Sequence, residues 1–259
     1  MDVGLFGPDS VAWRLHADPV MLIGGLRALL LQALEPRAMA AVDQHSGFRE
    51  DPWGRLERTT SFVLATTYGD TPTAEAAAAK VRNVHARVSG IDAVTGAAYA
   101  ANQPDLLRWV HAVEVESFVV AYRTYGGRLS DEDADRYVAE MGRVAELVEL
   151  PGAMVPRSMA DIHDYLGSVE GLQVTPAARD GLRLVLCPPM PLALRPLWGL
   201  VTTAAVAILP PYARRMYRVP WFPPAKLPLQ AGVFGLSRLW MLVRPELPVV
   251  REAWARAAA

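Results

Sequence analysis

Prolines set directly behind a capping side chain restrict the fold of this chain more than any other feature. Asp51-Pro52 and Thr71-Pro72 each join an N-cap residue to a first-turn proline, and Pro104-Asp105 heads a third segment in the same way. At that position proline lacks only an N–H that the first helical turn leaves unbonded, whereas inside a sheet it would remove a ladder bond. Each of these sites therefore starts a helix. The helix opened by Thr71-Pro72 is expected to run through Val81, Val84 and Val88 and to stop at Ser89-Gly90. The third carries Leu107, Val110, His111 and Phe118 and ends near Gly126-Gly127. Ser130 with Asp133 reads as a capping box for a fourth helix reaching about residue 149. Upstream, Leu22 to Leu34 is almost continuously aliphatic and predicts a central helix buried on most sides.

Beyond Pro151 the prolines crowd, and shorter helices are expected near 158–168, 175–186, 190–208, 224–241 and 245–257. No strand alternation longer than a few residues occurs, and no internal repeat. The expectation is an all-α protein whose 259 residues form a single multi-helical domain. Hydrophobic residues make up 52% and the net charge is −1, which gives no electrostatic basis for nucleic-acid binding. The single Cys187 excludes an intrachain disulfide. The longest uncharged apolar run, Leu197 to Leu209, is too short to cross a bilayer. It reads as core, and peripheral membrane contact stays compatible with the composition. The first residues carry no basic, cleavable leader, so a cytoplasmic location is expected.

On the helix opened by Asp51-Pro52, Arg55, Arg58 and Thr59 are spaced i, i+3, i+4, and Phe62 continues their line. Two guanidinium groups and a hydroxyl running into an apolar stripe call for a partner, and an enclosed anionic ligand would be one. Phosphate-binding glycine loops, a nucleophile elbow and an HExxH zinc motif are all missing. A di-iron carboxylate centre needs two Glu-x-x-His motifs, but only the reversed His111-x-x-Glu114 occurs. A haem needs an imidazole, an apolar pocket and polar groups for its propionates. His85 among valines, His111, Arg55, Arg58 and Thr59 offer these. The plain alternative makes His85 and His111 core histidines and pairs the arginines with Glu35, Glu50 or Glu57. His16, His45 and His163 read as ordinary histidines near helix ends.

Several stretches together resemble the MpaB-type oxygenase family, which shares its catalytic domain with the rubber-oxygenase latex clearing proteins. They are Phe6–Ser10, Leu29–Met39, Phe48–Thr59, Val81–Gly90, Tyr99–Ala112 and, more weakly, Leu209–Arg214. The resemblance implies an all-helical protein with one b-type haem held by a histidine, using dioxygen on small apolar substrates such as isoprenoids. By motif, Arg55 and Thr59 match an arginine and a threonine beside the haem, and His85 matches the proximal iron ligand. Arg58 stands where the rubber enzyme has a lysine able to cap the iron, a role ill suited to a permanently protonated guanidinium. Glu35 takes the place of an expected histidine, as a candidate distal acid, and the missing export signal argues against polyisoprene as substrate. The reading is a haem b-dependent oxygenase in which Arg55, Arg58, Thr59 and Glu35 serve the chemistry, and His85, His111, Arg55 and Thr59 hold the cofactor. Its alternatives are a helical haem- or lipid-binding protein without turnover, and a di-iron oxygenase.

Overall fold

The computed structural model describes residues 2–220, 222–243 and 247–258. Among them are thirteen α-helices and one short hairpin. The first five helices are α1 (Val11–His16), α2 (Met21–Gln32), α3 (Pro36–His45), α4 (Pro52–Tyr68) and α5 (Thr71–His85). The antiparallel strands β1 (Ser89–Ile91) and β2 (Ala98–Ala100) follow, with Gly90 opposite Tyr99. Then come α6 (Pro104–Ala121), α7 (Asp131–Leu147), α8 (Met159–Ser168) and α9 (Pro176–Leu186). The chain closes with α10 (Arg195–Ala207), α11 (Pro211–Tyr217), α12 (Lys226–Val243) and α13 (Pro248–Ala258). The fold is all-α.

Helix starts follow the capping chemistry. Asp51 accepts from the Gly54 amide at 2.8 Å, and Ser130 accepts from that of Asp133 at 3.0 Å. For α5 the cap is Asp70, one residue earlier than expected, which accepts from Thr73 N at 3.0 Å. That helix also ends early, at His85, because Val88 already accepts from the Ala101 amide across the hairpin. The segment near 190–208 divides into a 3-10 turn, Leu192–Leu194, and α10. Helix α11 was not expected; Pro211 is its first residue and not a terminator. The expected start of the last helix at 245 lies outside the described residues.

The centre of the fold is the α2–α6 pair. Gln32 donates to the Val110 carbonyl and accepts from the Trp109 indole N–H, both at 3.2 Å, and Arg27 meets Glu116 and Ser117. These ties set the two helices antiparallel. Gly24 lets them approach: a Cβ there would lie 2.8 Å from the Phe118 ring and 3.1 Å from the Ser117 carbonyl oxygen. Arg27 is 2% exposed, yet its guanidinium makes four hydrogen bonds. It pairs with both Glu116 oxygens, donates to Ser117 Oγ at 2.6 Å and reaches the Ile208 carbonyl at 2.9 Å. A fork of this kind satisfies a buried carboxylate from two directions. Helix α10, which holds most of the Leu197–Leu209 run, buries Thr202, Ala204, Ala205 and Val206 as core. Tyr165, Leu166 and Val185 pack against both large apolar clusters, making the interior continuous. Among the described residues, no helix is long and apolar enough to cross a membrane.

Candidate functional site

Helix α4 carries the three polar residues singled out in the sequence, but its stripe is not buried along its length. Only Thr66, Thr67 and Tyr68, in the last turn, are fully enclosed. Arg58 and Thr59 face solvent, a departure from the expected core-facing stripe. Arg58 folds back on the cap residue Asp51 at 3.3 Å, and Thr59 donates to the Arg55 carbonyl at 3.1 Å. Arg55 differs from both. It is half-buried, and its side chain has no hydrogen bond or ion pair among the described residues. Loss of water, and then repulsion from Arg58, hold its pKa below the usual arginine range.

His85 closes α5 and is half-buried. Val81 and Val88 flank it in part, while Val84 is 50% exposed, so the expected valine cage is open on one side. Desolvation lowers its pKa and favours the neutral imidazole. Its ring has no partner among the described residues.

At 100° per residue, α6 presents two opposite edges. Trp109, Val113 and Glu116 form the edge clamped to α2, and His111 and Glu114 lie on the other, while the Phe118 ring reaches both Gly24 of α2 and His16 of α1. The His111 Nε2 is enclosed and has no hydrogen-bond partner among the described residues. Burial lowers this imidazole to about 4 and raises the Glu114 carboxyl to about 7. Both side chains nevertheless keep part of their surface accessible. Strong desolvation combined with residual surface places both groups at the margin of the core. A neutral imidazole with a free ring nitrogen and a carboxyl that keeps its proton up to about neutrality thus lie one turn apart.

A chain of polar contacts runs beside them. His16 is bonded through Nδ1 to Thr67 Oγ1 at 2.7 Å and through Nε2 to Tyr137 Oη at 2.8 Å. Its ring stands edge-on to Phe118, and burial lowers its pKa to about 4. Tyr137 is pushed far up, by burial first and then by the charges of Glu114 and Glu140. The end of α4, α1, α7 and the outer edge of α6 therefore meet at one place.

Glu35 has a defined position elsewhere. It caps α3, accepting from Ala38 N at 2.6 Å and from Arg37 Nε at 2.8 Å, and Arg37 continues to Asp105 at 2.7 Å. With every carboxylate oxygen engaged, it is a structural acid in this arrangement. His45, near the end of α3, stands edge-on to the Tyr99 ring. Among the described residues, no group of three or more His, Cys, Asp or Glu is gathered as a metal cluster. A macrocycle that brings its own four nitrogens requires only a single protein ligand. The orphaned Nε2 of His111, the partnerless His85 ring and the unpaired Arg55 are donors that fit such a group. Reasoning from the sequence missed Arg27, Glu114, His16 and Tyr137 as a set. The one available signal was Glu114 as a lone acid between Val113 and Val115.

These features define a helical protein with desolvated, unpartnered polar groups bordering an apolar interior. The sequence profile of the family described as ER-bound oxygenase mpaB/B′/rubber oxygenase, catalytic domain, matches residues 13–240. The chain belongs to this oxygenase family. No curated protein and no solved structure matches it.

Proposed function

We propose that the protein is a haem b-dependent oxygenase that uses dioxygen on a small apolar substrate. The observation that carries this reading is the set Arg55, His85 and His111. These are one desolvated cation and two neutral imidazoles for whose side chains the described residues supply no hydrogen-bond or ion-pair partner. Bound haem would supply the iron that activates dioxygen. His85 would hold the iron, as the family resemblance implies, and Arg55 would neutralise a propionate. Glu114, protonated near neutrality, holds a proton on the edge of α6 that carries His111. A second assignment, with His111 as ligand, is favoured by its enclosed and unsatisfied Nε2.

The test is an absorption spectrum and a haem assay on protein expressed with haem supply. The expected result is a Soret band and about one b-type haem per chain. His85→Ala should empty the site, while His111→Ala should keep the haem with a shifted spectrum. If only His111→Ala empties it, the axial assignment moves to His111. Colourless protein from haem-supplied cells overturns the haem reading.

A further inference from the structure

Helix α12 is the most apolar long helix on the surface, and little of it is covered. Only Val233 and Ser237, one turn apart, are buried, where α12 packs on α10 and on the π-turn Tyr122–Gly126. The rest faces outward: Leu227 is 75% exposed, Trp240 54%, Leu242 82% and Val243 67%. A soluble surface does not ordinarily carry a run of large side chains like this. The exposed apolar residues continue at Leu192, Leu194 and Leu197, in the turn before α10 and in its first residues.

The stretch of chain that carries this surface is basic. Between Asp180 and Glu246 the sequence contains eight basic residues and no acid. Arg195, Arg215, Arg218 and Lys226 form no ion pair among the described residues. Arg238, the other cation of α12, is matched by Asp18. Exposed Trp and Leu, a basic stretch of chain and a helix that does not span together describe an interfacial helix. A second copy fits poorly, because a two-fold contact through α12 would set cations against cations with no acid to answer them.

We propose that α12 is the edge by which this protein lies on a lipid surface bearing anionic head groups. Trp240, Leu242 and Val243 enter the head-group boundary, and Lys226 with the unpaired arginines meets the lipid phosphates. Each basic residue close to such a surface strengthens binding by roughly fivefold. The proposal rests on exposed residues alone and is independent of the haem reading.

The experiment is co-sedimentation of the full chain with phosphatidylcholine vesicles, with and without phosphatidylglycerol, at low and high salt. The protein should pellet with the anionic vesicles, and salt should weaken the association. Trp240→Glu/Leu242→Glu should bind at least about tenfold more weakly while keeping its circular dichroism spectrum and melting temperature, since both side chains are exposed. Lys226→Glu should lower binding to the anionic vesicles alone. Equal binding to both vesicle types, or binding to neither, overturns the proposal. So does a concentration-dependent dimer that Leu242→Glu dissolves while vesicles leave the protein in the supernatant.

Discussion

Replacing Arg27 by methionine removes a cation from the α2–α6 seam while nearly keeping its volume. Both Glu116 oxygens then lose their partner between the two helices, and Ser117 Oγ and the Ile208 carbonyl lose the guanidinium. Removing one partner of a buried pair costs about 3–5 kcal/mol, because the other charge is stranded out of water. For a chain of this size, each kcal/mol shifts the melting temperature by roughly 2–4 °C, so a fall of about 6–20 °C is expected. Arg27→Met/Glu116→Leu removes both charges and should recover most of that loss. Thermal melts and urea titrations of wild type, both single variants and the double variant measure the coupling. The reasoning is refuted if Arg27→Met unfolds within about 1 kcal/mol of wild type, or if the double variant is no more stable than Arg27→Met.

Protonation gives two further tests of opposite sign. His16 and His111 are depressed to about 4, so the stability they contribute is complete above the ordinary imidazole range and is lost as pH falls towards 4. Each accounts for about 3 kcal/mol, and His16→Gln should remove about half of the combined acid-side loss in urea titrations run across that range. Glu114 is raised to about 7, so its contribution is complete in the ordinary carboxyl range and is lost as pH rises through about 7. Glu114→Gln should therefore be more stable than wild type at alkaline pH, by about 2–3 kcal/mol, with no gain in acid. Glu35→Ala removes the α3 cap and frees Arg37, and should cost about 1–2 kcal/mol by chemical denaturation.

What could be read in the sequence was local. A side-chain cap fixes a helix start through bonds within four residues, and Asp51 and Ser130 behaved as that chemistry requires, whereas α6 starts at Pro104 behind Gln103, which makes no side-chain cap bond. The hairpin between α5 and α6 escaped because each strand has only three residues, too few to show alternation. Helix α11 escaped because two successive prolines end one helix and open the next with the same signal. The polar face of α4 was legible as a spacing but not as a burial. Asp51 captures Arg58, and nothing local says that only the last turn of this helix is enclosed. The Arg27–Glu116 pair joins residues 89 apart, so each looked like an isolated charge in an apolar segment. Glu114 and the His16–Tyr137 contact share that origin, since their environment is assembled from α1, α4, α6 and α7.

Helix α6 is tied to α2 at three levels, by Gln32 near one end, by Arg27 in the middle and by the missing side chain of Gly24 near the other. A beam fastened along one side has little freedom left on its opposite side. His111 and Glu114 therefore keep their positions whether or not anything lies against them, and a ligand arriving there loses little further chain entropy in ordering that wall. Helix α4 is held at both ends, by the enclosed Thr66, Thr67 and Tyr68 in its final turn and by Trp53 in its first, which donates to the Pro189 carbonyl at 2.7 Å and stands edge-on to Trp198.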